Sequence, residues 1–216
     1  GDLSRVKVLW ANFPHMPTGA PGSASVLQQL VDFGKRHNIL IVHDNPYSFI
    51  LNDRPLSILA AEGAGDVALE LNSLSKSHNM AGWRVGAVLG HPDYLKAVLR
   101  FKSNMDSGQF LAVQRAAIRA LQLPAAWYAD LNLVYRERRN AAEAILTTLG
   151  CRFDPAQQGM FVWAAIPAAY GDAYELSDEL LYEKKLFLTP GGIFGSHGDR
   201  HIRISLCSPV ETLREA

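Results

Sequence analysis

The chain has 216 residues, 48% hydrophobic and 19% charged, which is enough apolar content to fill a buried core and excludes a disordered tail. Lys plus Arg and Asp plus Glu each number 21, so the formal net charge is zero and no basic excess points to nucleic acid or an anionic membrane. Cys151 and Cys207 fit neither a disulfide framework nor a paired metal spacing, which suits a reducing, cytoplasmic compartment.

Residues 6–11 form a β-rich apolar run that stops at Asn12-Phe13-Pro14, where a buried strand gives way to a loop. From 26 to 37, Val26, Leu27, Leu30, Val31 and Phe33 recur at helical spacing, and Ser23 or Ser25 can cap the helix start. The continuous apolar run 39–42 reads as a strand buried on both faces, completing a βαβ unit. Residues 67–71 and 85–89 read as a third and a fourth strand around a polar loop, 73–82. Helices follow over 94–101, 110–121 and 124–149, with Pro124 suited to a first turn and Gly150 to a stop. Beyond Gly150 the expected elements are a strand at 161–166, a helix at 176–185 and strands at 186–189 and 202–206. The fold class is therefore α/β: a partial mixed, mostly parallel sheet over residues 1–123, then a long connecting helix and a small α+β domain over 124–216.

Ligands of open α/β sheets bind beyond the carboxyl ends of the strands. The residues there are polar: Asn12 and a loop with His15, Met16 and Thr18; then Asp44 and Tyr47; then Ser73, Ser75 and Lys76, with Arg84 further along the same connection. Taken singly, each has an ordinary explanation. Lys76 would be a solvated lysine, Asp44 a turn cap before Asn45-Pro46, Tyr47 a core aromatic and Arg203 a surface strand arginine. His197, Asp199 and His201 lack a further ligand for a metal, so none is expected. Gly191-Gly192 and Gly195 match neither a dinucleotide nor a P-loop pattern; they are expected to turn the backbone. Trp83 and Trp163 are expected in core or interdomain packing rather than as ring-stacking groups.

Pro17-Thr18-Gly19, Asp44 with Tyr47, Ser73-Leu74-Ser75-Lys76, Gly82-Trp83-Arg84-Val85-Gly86, Pro190-Gly191-Gly192-Ile193-Phe194-Gly195 and Arg203-Ile204-Ser205 follow one another in a specific order. In that order the chain resembles the pyridoxal-phosphate-dependent aminotransferases of fold type I, class I/II, from near the middle of that fold almost to its end. The resemblance implies that Lys76 holds pyridoxal 5'-phosphate as a Schiff base and shuttles the substrate proton. It implies that Asp44 pairs with the ring nitrogen, that Tyr47 donates to the ring oxygen, and that Ser73, Ser75 and Arg84 bind the phosphate. Arg203 would clamp the substrate carboxylate. The implied substrates are an amino acid and a 2-oxo acid, and the implied assembly is a homodimer, with residues 104–108 as a loop reaching toward the partner subunit.

Met16 departs from the family pattern, which places Asn before Pro-Thr-Gly; a thioether cannot donate to the cofactor ring, so Tyr47, Asn12 or His15 would have to serve. The resemblance also implies a parent nearly twice as long, so the chain is expected to be a C-terminal fragment whose own competence is in question. The same residues would serve β-elimination or another pyridoxal reaction, and a cofactor-binding sensor domain of a transcription regulator is the reading from a different class.

Overall fold

The computed structural model describes residues 2–216. The chain folds as two compact units, residues 2–14 with Gly22–Tyr128, and His15–Pro21 with Ala129–Ala216.

The first unit is built on a four-stranded sheet in the order β1 (Val8–Asn12), β2 (Leu40–Asp44), β3 (Ala68–Ser73), β4 (Gly86–Gly90). The first three strands run parallel and β4 antiparallel. Helix α1 (Ala24–His37) connects β1 to β2. Ser23 caps it by accepting from Val26 N–H, and Asn38 ends it in the left-handed conformation. Its apolar stripe packs Leu27 and Val31 onto Ile39, Ile41, Ile58, Ala64 and Ala68 in one buried cluster. Full burial of each Leu or Ile there contributes about 1.5–3 kcal/mol, which makes this cluster the stable base of the sheet. Gly34 permits the close approach, because a Cβ there would lie 2.8 Å from the Ile39 carbonyl oxygen.

Between β2 and β3 the chain forms a 3-10 turn (Ile58–Ala60) and the single helical turn α2 (Ala64–Val67). Val67, expected in the third strand, closes that turn instead, and the strand runs on to Ser73. Nor is the expected loop 73–82 simply irregular: it contains the helical turn α3 (Leu74–Ser77) and a 3-10 turn (Ala81–Trp83). Helices α4 (Pro92–Met105) and α5 (Leu111–Leu121) follow, so Asn104 and Met105 of the expected partner loop belong to a helix.

Helix α6 (Ala125–Thr148) leads to the second unit, whose sheet has the order β5 (Arg152–Phe153), β6 (Phe161–Ala165), β8 (His201–Ser205), β7 (Thr189–Pro190), antiparallel throughout. Strand β5 escaped the sequence reading because two residues carry no period. Helix α7 (Ala173–Glu179) starts earlier than the apolar pattern, since Asp172 caps it by accepting from Tyr174 and Glu175 N–H; it then continues as a π-helical turn, Leu180–Lys184. The strand expected at 186–189 shrinks to Thr189–Pro190. Lys185 is left-handed, Leu186 N–H returns to the Leu180 carbonyl, and Pro190 has no N–H to extend the ladder. Helix α8 (Val210–Glu215) follows β8.

Candidate active site

Parallel pairing brings the carboxyl ends of β1, β2 and β3 into register, with Asn12 beside Asp44 and Asp44 beside Leu71. The Asn12 amide donates to the Asp44 backbone carbonyl at 2.7 Å, and Asn45 N–H donates to the Leu71 carbonyl, so the strand ends are tied across the edge. This fixes the Asp44 backbone at the edge. Burial pushes its carboxyl above the ordinary range, partly offset by the charge of His43. Among the described residues that carboxylate enters no hydrogen bond or salt bridge, since the Asn12 bond goes to its backbone.

Tyr47 lies in the turn after β2, partly buried, and its carbonyl accepts from Ile50 N–H. Ser73 ends β3 and caps α3, its oxygen accepting from Ser75 N–H at 3.1 Å and leaving its own hydroxyl proton for another acceptor. Ser75 and Lys76 follow on that turn, both partly buried. Leu74 N–H donates to the Val85 carbonyl, which closes the connection and returns Arg84 to this edge. Arg84 adopts a left-handed backbone (φ 52°) and donates to the Ala81 carbonyl at 2.8 Å. Gly86 allows β4 to leave beside Ser73, because a Cβ there would fall 2.5 Å from the Asn72 carbonyl oxygen.

Two polar networks that sequence reasoning missed hold this edge. In the first, Tyr128 Oη is hydrogen-bonded to His78 Nε2 (3.2 Å) and His78 Nδ1 to Ser77 Oγ (2.8 Å), and Ser77 O–H donates to the Ser73 carbonyl (3.3 Å). Burial lowers the His78 pKa, against an opposing backbone hydrogen bond to Ala120. Trp127 Nε1–H donates to the Ser77 carbonyl at 2.8 Å, so the start of α6 anchors the lysine turn. In the second network, Glu70 is buried opposite His43 in the β2–β3 register. It accepts from Ser57 Oγ at 2.5 Å, from Ile58 N–H at 3.1 Å and from the Asn45 amide at 3.3 Å, while His43 Nδ1 stands 3.5 Å away. Burial pushes the Glu70 carboxyl up, but His43 and these donors outweigh it and hold the carboxyl below its ordinary range. Neither network was legible, because the first depends on where the start of α6 packs and the second on which residues become neighbours across strands.

Arg203 stands in the second unit on β8. Its Nη1 donates to Met16 Sδ at 3.4 Å, and its Cζ lies 4.2 Å from the centroid of the Phe161 ring and 4.6 Å from that of Phe194. His15, an alternative ring-oxygen donor, is hydrogen-bonded to Thr18 Oγ1 at 2.8 Å, and Asn12 is committed to β2. Trp83 is 48% exposed, which corrects the core alternative for it, and Trp163 does stack, on His201 at 5.1 Å. No group of three or more His, Cys, Asp or Glu among the described residues could hold a metal.

The donor set fits pyridoxal phosphate: a half-buried carboxylate for a protonated ring nitrogen, two hydroxyls and a guanidinium for a dianionic phosphate, and an amine for the aldehyde. The relatives that the chain matches are aminotransferases by name. LL-diaminopimelate aminotransferase of Gloeobacter violaceus is 41% identical over 214 residues, covering 98% of this chain and 55% of the relative. The enzyme of the same name from Aquifex aeolicus is 40% identical over 214 residues, with the same coverage. Apo-BacF of Bacillus subtilis superposes with a TM-score of 0.92 at 38% identity, covering 99% of this chain and 55% of that one. A probable N-succinyldiaminopimelate aminotransferase from Thermus thermophilus superposes with a TM-score of 0.89 at 34% identity, covering 97% and 56%. The chain thus spans about half the length of the relatives it matches. The profile of aminotransferase class I and II matches residues 2–216, with the ordered motifs and the sheet edge they occupy falling inside that match, and the chain belongs to this pyridoxal-phosphate-dependent family.

Proposed function

We propose that the chain carries the lysine-bearing part of an aminotransferase that moves an amino group between an amino acid and a 2-oxo acid. The observation that carries this reading is the Asp44 carboxylate. It is raised by burial, fixed at the strand edge and without a hydrogen-bonding or ion-pairing partner among the described residues, a setting that a cationic ring nitrogen completes. When bound, the cofactor supplies an electron sink for the carbanion at the substrate α-carbon.

The chain's own residues do the rest. Lys76 Nζ is the attachment point and the base that removes and returns the α-proton; the bonds from Trp127 and Ser77 tie down the backbone of the turn that carries it. Asp44 keeps the ring nitrogen protonated. Tyr47 donates its hydroxyl to the ring oxygen, and Ser73, Ser75 and Arg84 bind the phosphate. Arg203 binds the substrate α-carboxylate. The names of the two curated relatives support a diamino dicarboxylic acid as the amino donor. A homodimer and a cytoplasmic setting belong to the same proposal; two free cysteines suit the latter.

The test is to load the chain with pyridoxal phosphate, reduce with borohydride and map the modified lysine by peptide mass spectrometry, with Lys76→Ala as control. Selective labelling of Lys76 is expected. Labelling spread over surface lysines in a folded chain would overturn the assignment.

A further inference from the structure

Strand alternation on β6 and β8 sorts this sheet into two faces. Val162, Ala164, Ile202 and Ile204 are buried on one; Phe161, Trp163, His201 and Arg203 line the other. In the antiparallel register Phe161 pairs with Ser205 and Trp163 with Arg203, so each ring reaches its diagonal neighbour two residues earlier on β8. The same offset therefore occurs twice. Trp163 lies flat on His201 with an interplanar angle of 11°, and Phe161 lies on the Arg203 guanidinium with Cζ 4.2 Å from the ring centroid. A second ring comes from the 3-10 turn Gly191–Phe194: Phe194 meets Trp163 edge-on at 6.0 Å and takes the Arg203 Cζ at 4.6 Å. Gly191 lets that turn close down, since a Cβ there would lie 2.5 Å from Trp163 Cη2.

We propose that Phe161 and Phe194 are positioning residues for Arg203, fixing the plane of its guanidinium so that a substrate carboxylate meets its donor edge already oriented. A free arginine side chain loses much rotamer freedom when it forms a two-point pair, and a guanidinium held by two ring quadrupoles has lost that freedom beforehand. The thioether of Met16, which accepts from Nη1, is a weak acceptor that yields to a carboxylate oxygen. The inference rests on the reading of Arg203 as the carboxylate-binding residue, and Arg203→Lys tests that reading separately.

The experiment titrates the pyridoxal-phosphate-loaded chain with 2-oxoglutarate by calorimetry and records the Arg203 guanidinium resonances by NMR. Phe194→Leu and Phe161→Leu are each expected to weaken binding about three- to tenfold and to reduce the ring-current shift of Arg203, and Phe194→Trp to retain both. Partly exposed Phe194 carries the test should Phe161→Leu fail to fold. If the leucine variants bind like wild type while Arg203→Lys loses affinity, the positioning role is overturned and the reading of Arg203 stands. If Arg203→Lys binds like wild type, or wild type itself does not bind, the reading falls and the inference with it.

Discussion

Cys151 and Cys207 carry the same thiol in opposite settings. Cys151 is buried and its thiol is pushed up to about 11, so it stays protonated at neutral pH, whereas Cys207 is exposed. With a thiol reagent at pH 8, one cysteine per chain is expected to react promptly and the second only in denaturant; Cys207→Ser should abolish the fast phase. Asp44 gives a sign-determined prediction of another kind. Its folded carboxyl is raised, so the native state binds that proton more tightly than the unfolded chain, and stability is lost as pH rises through the folded value. At pH 7 the ionised group is a cost that Asn does not carry. Cofactor-free Asp44→Asn is therefore expected to melt about 1–3 °C above wild type at pH 7 and level with it in acid below the ordinary carboxylate range, while losing cofactor retention. Calorimetry at the two pH values checks this, and an unchanged or lower midpoint at pH 7 would count against the burial argument.

Strands β2 and β3 are joined by more than their ladder. Glu70 gathers Ser57, Ile58 N–H, Asn45 and His43 around one buried carboxylate, and its lowered pKa means this support is present above the ordinary glutamate range and fades as pH falls through the folded value. Glu70→Gln is expected to cost about 2 kcal/mol in urea unfolding at pH 7, with the gap narrowing toward acid. A constant gap across that range would show that packing rather than charge is at work. The elements themselves were largely legible. Helix α1, the strands of the first sheet and the long helix α6 follow from apolar periodicity, because their own residues bury one face. What escaped were elements without a period: β5 with two residues, the turns α2 and α3, and the two-residue β7, whose extent is set by Pro190 and by the helix exit at Lys185.

Helices α4 and α5 leave a broad apolar surface, with Phe101 72% and Phe110 73% exposed and Met105, Leu111, Ile118 and Leu121 also outward. Patches of this kind mark contact surfaces. The weight-average mass in sedimentation equilibrium is expected to rise with concentration, and Phe101→Glu with Phe110→Glu to lower it toward the 23.7 kDa monomer; a monomer at all concentrations in wild type would refute this. Composition, apolar period and ordered motifs were enough to identify an α/β chain, its family and the residues at its strand ends, since these depend on local pattern. Tertiary structure decided the remainder: strand register sets that Glu70 faces His43 and that Phe161 lies on Arg203, and the packing of α6 sets that a chain of hydrogen bonds from Tyr128 reaches the carbonyl of Ser73. Such pairs join residues far apart in the chain, and one residue of slip would turn each side chain to the opposite face, so no local pattern encodes them.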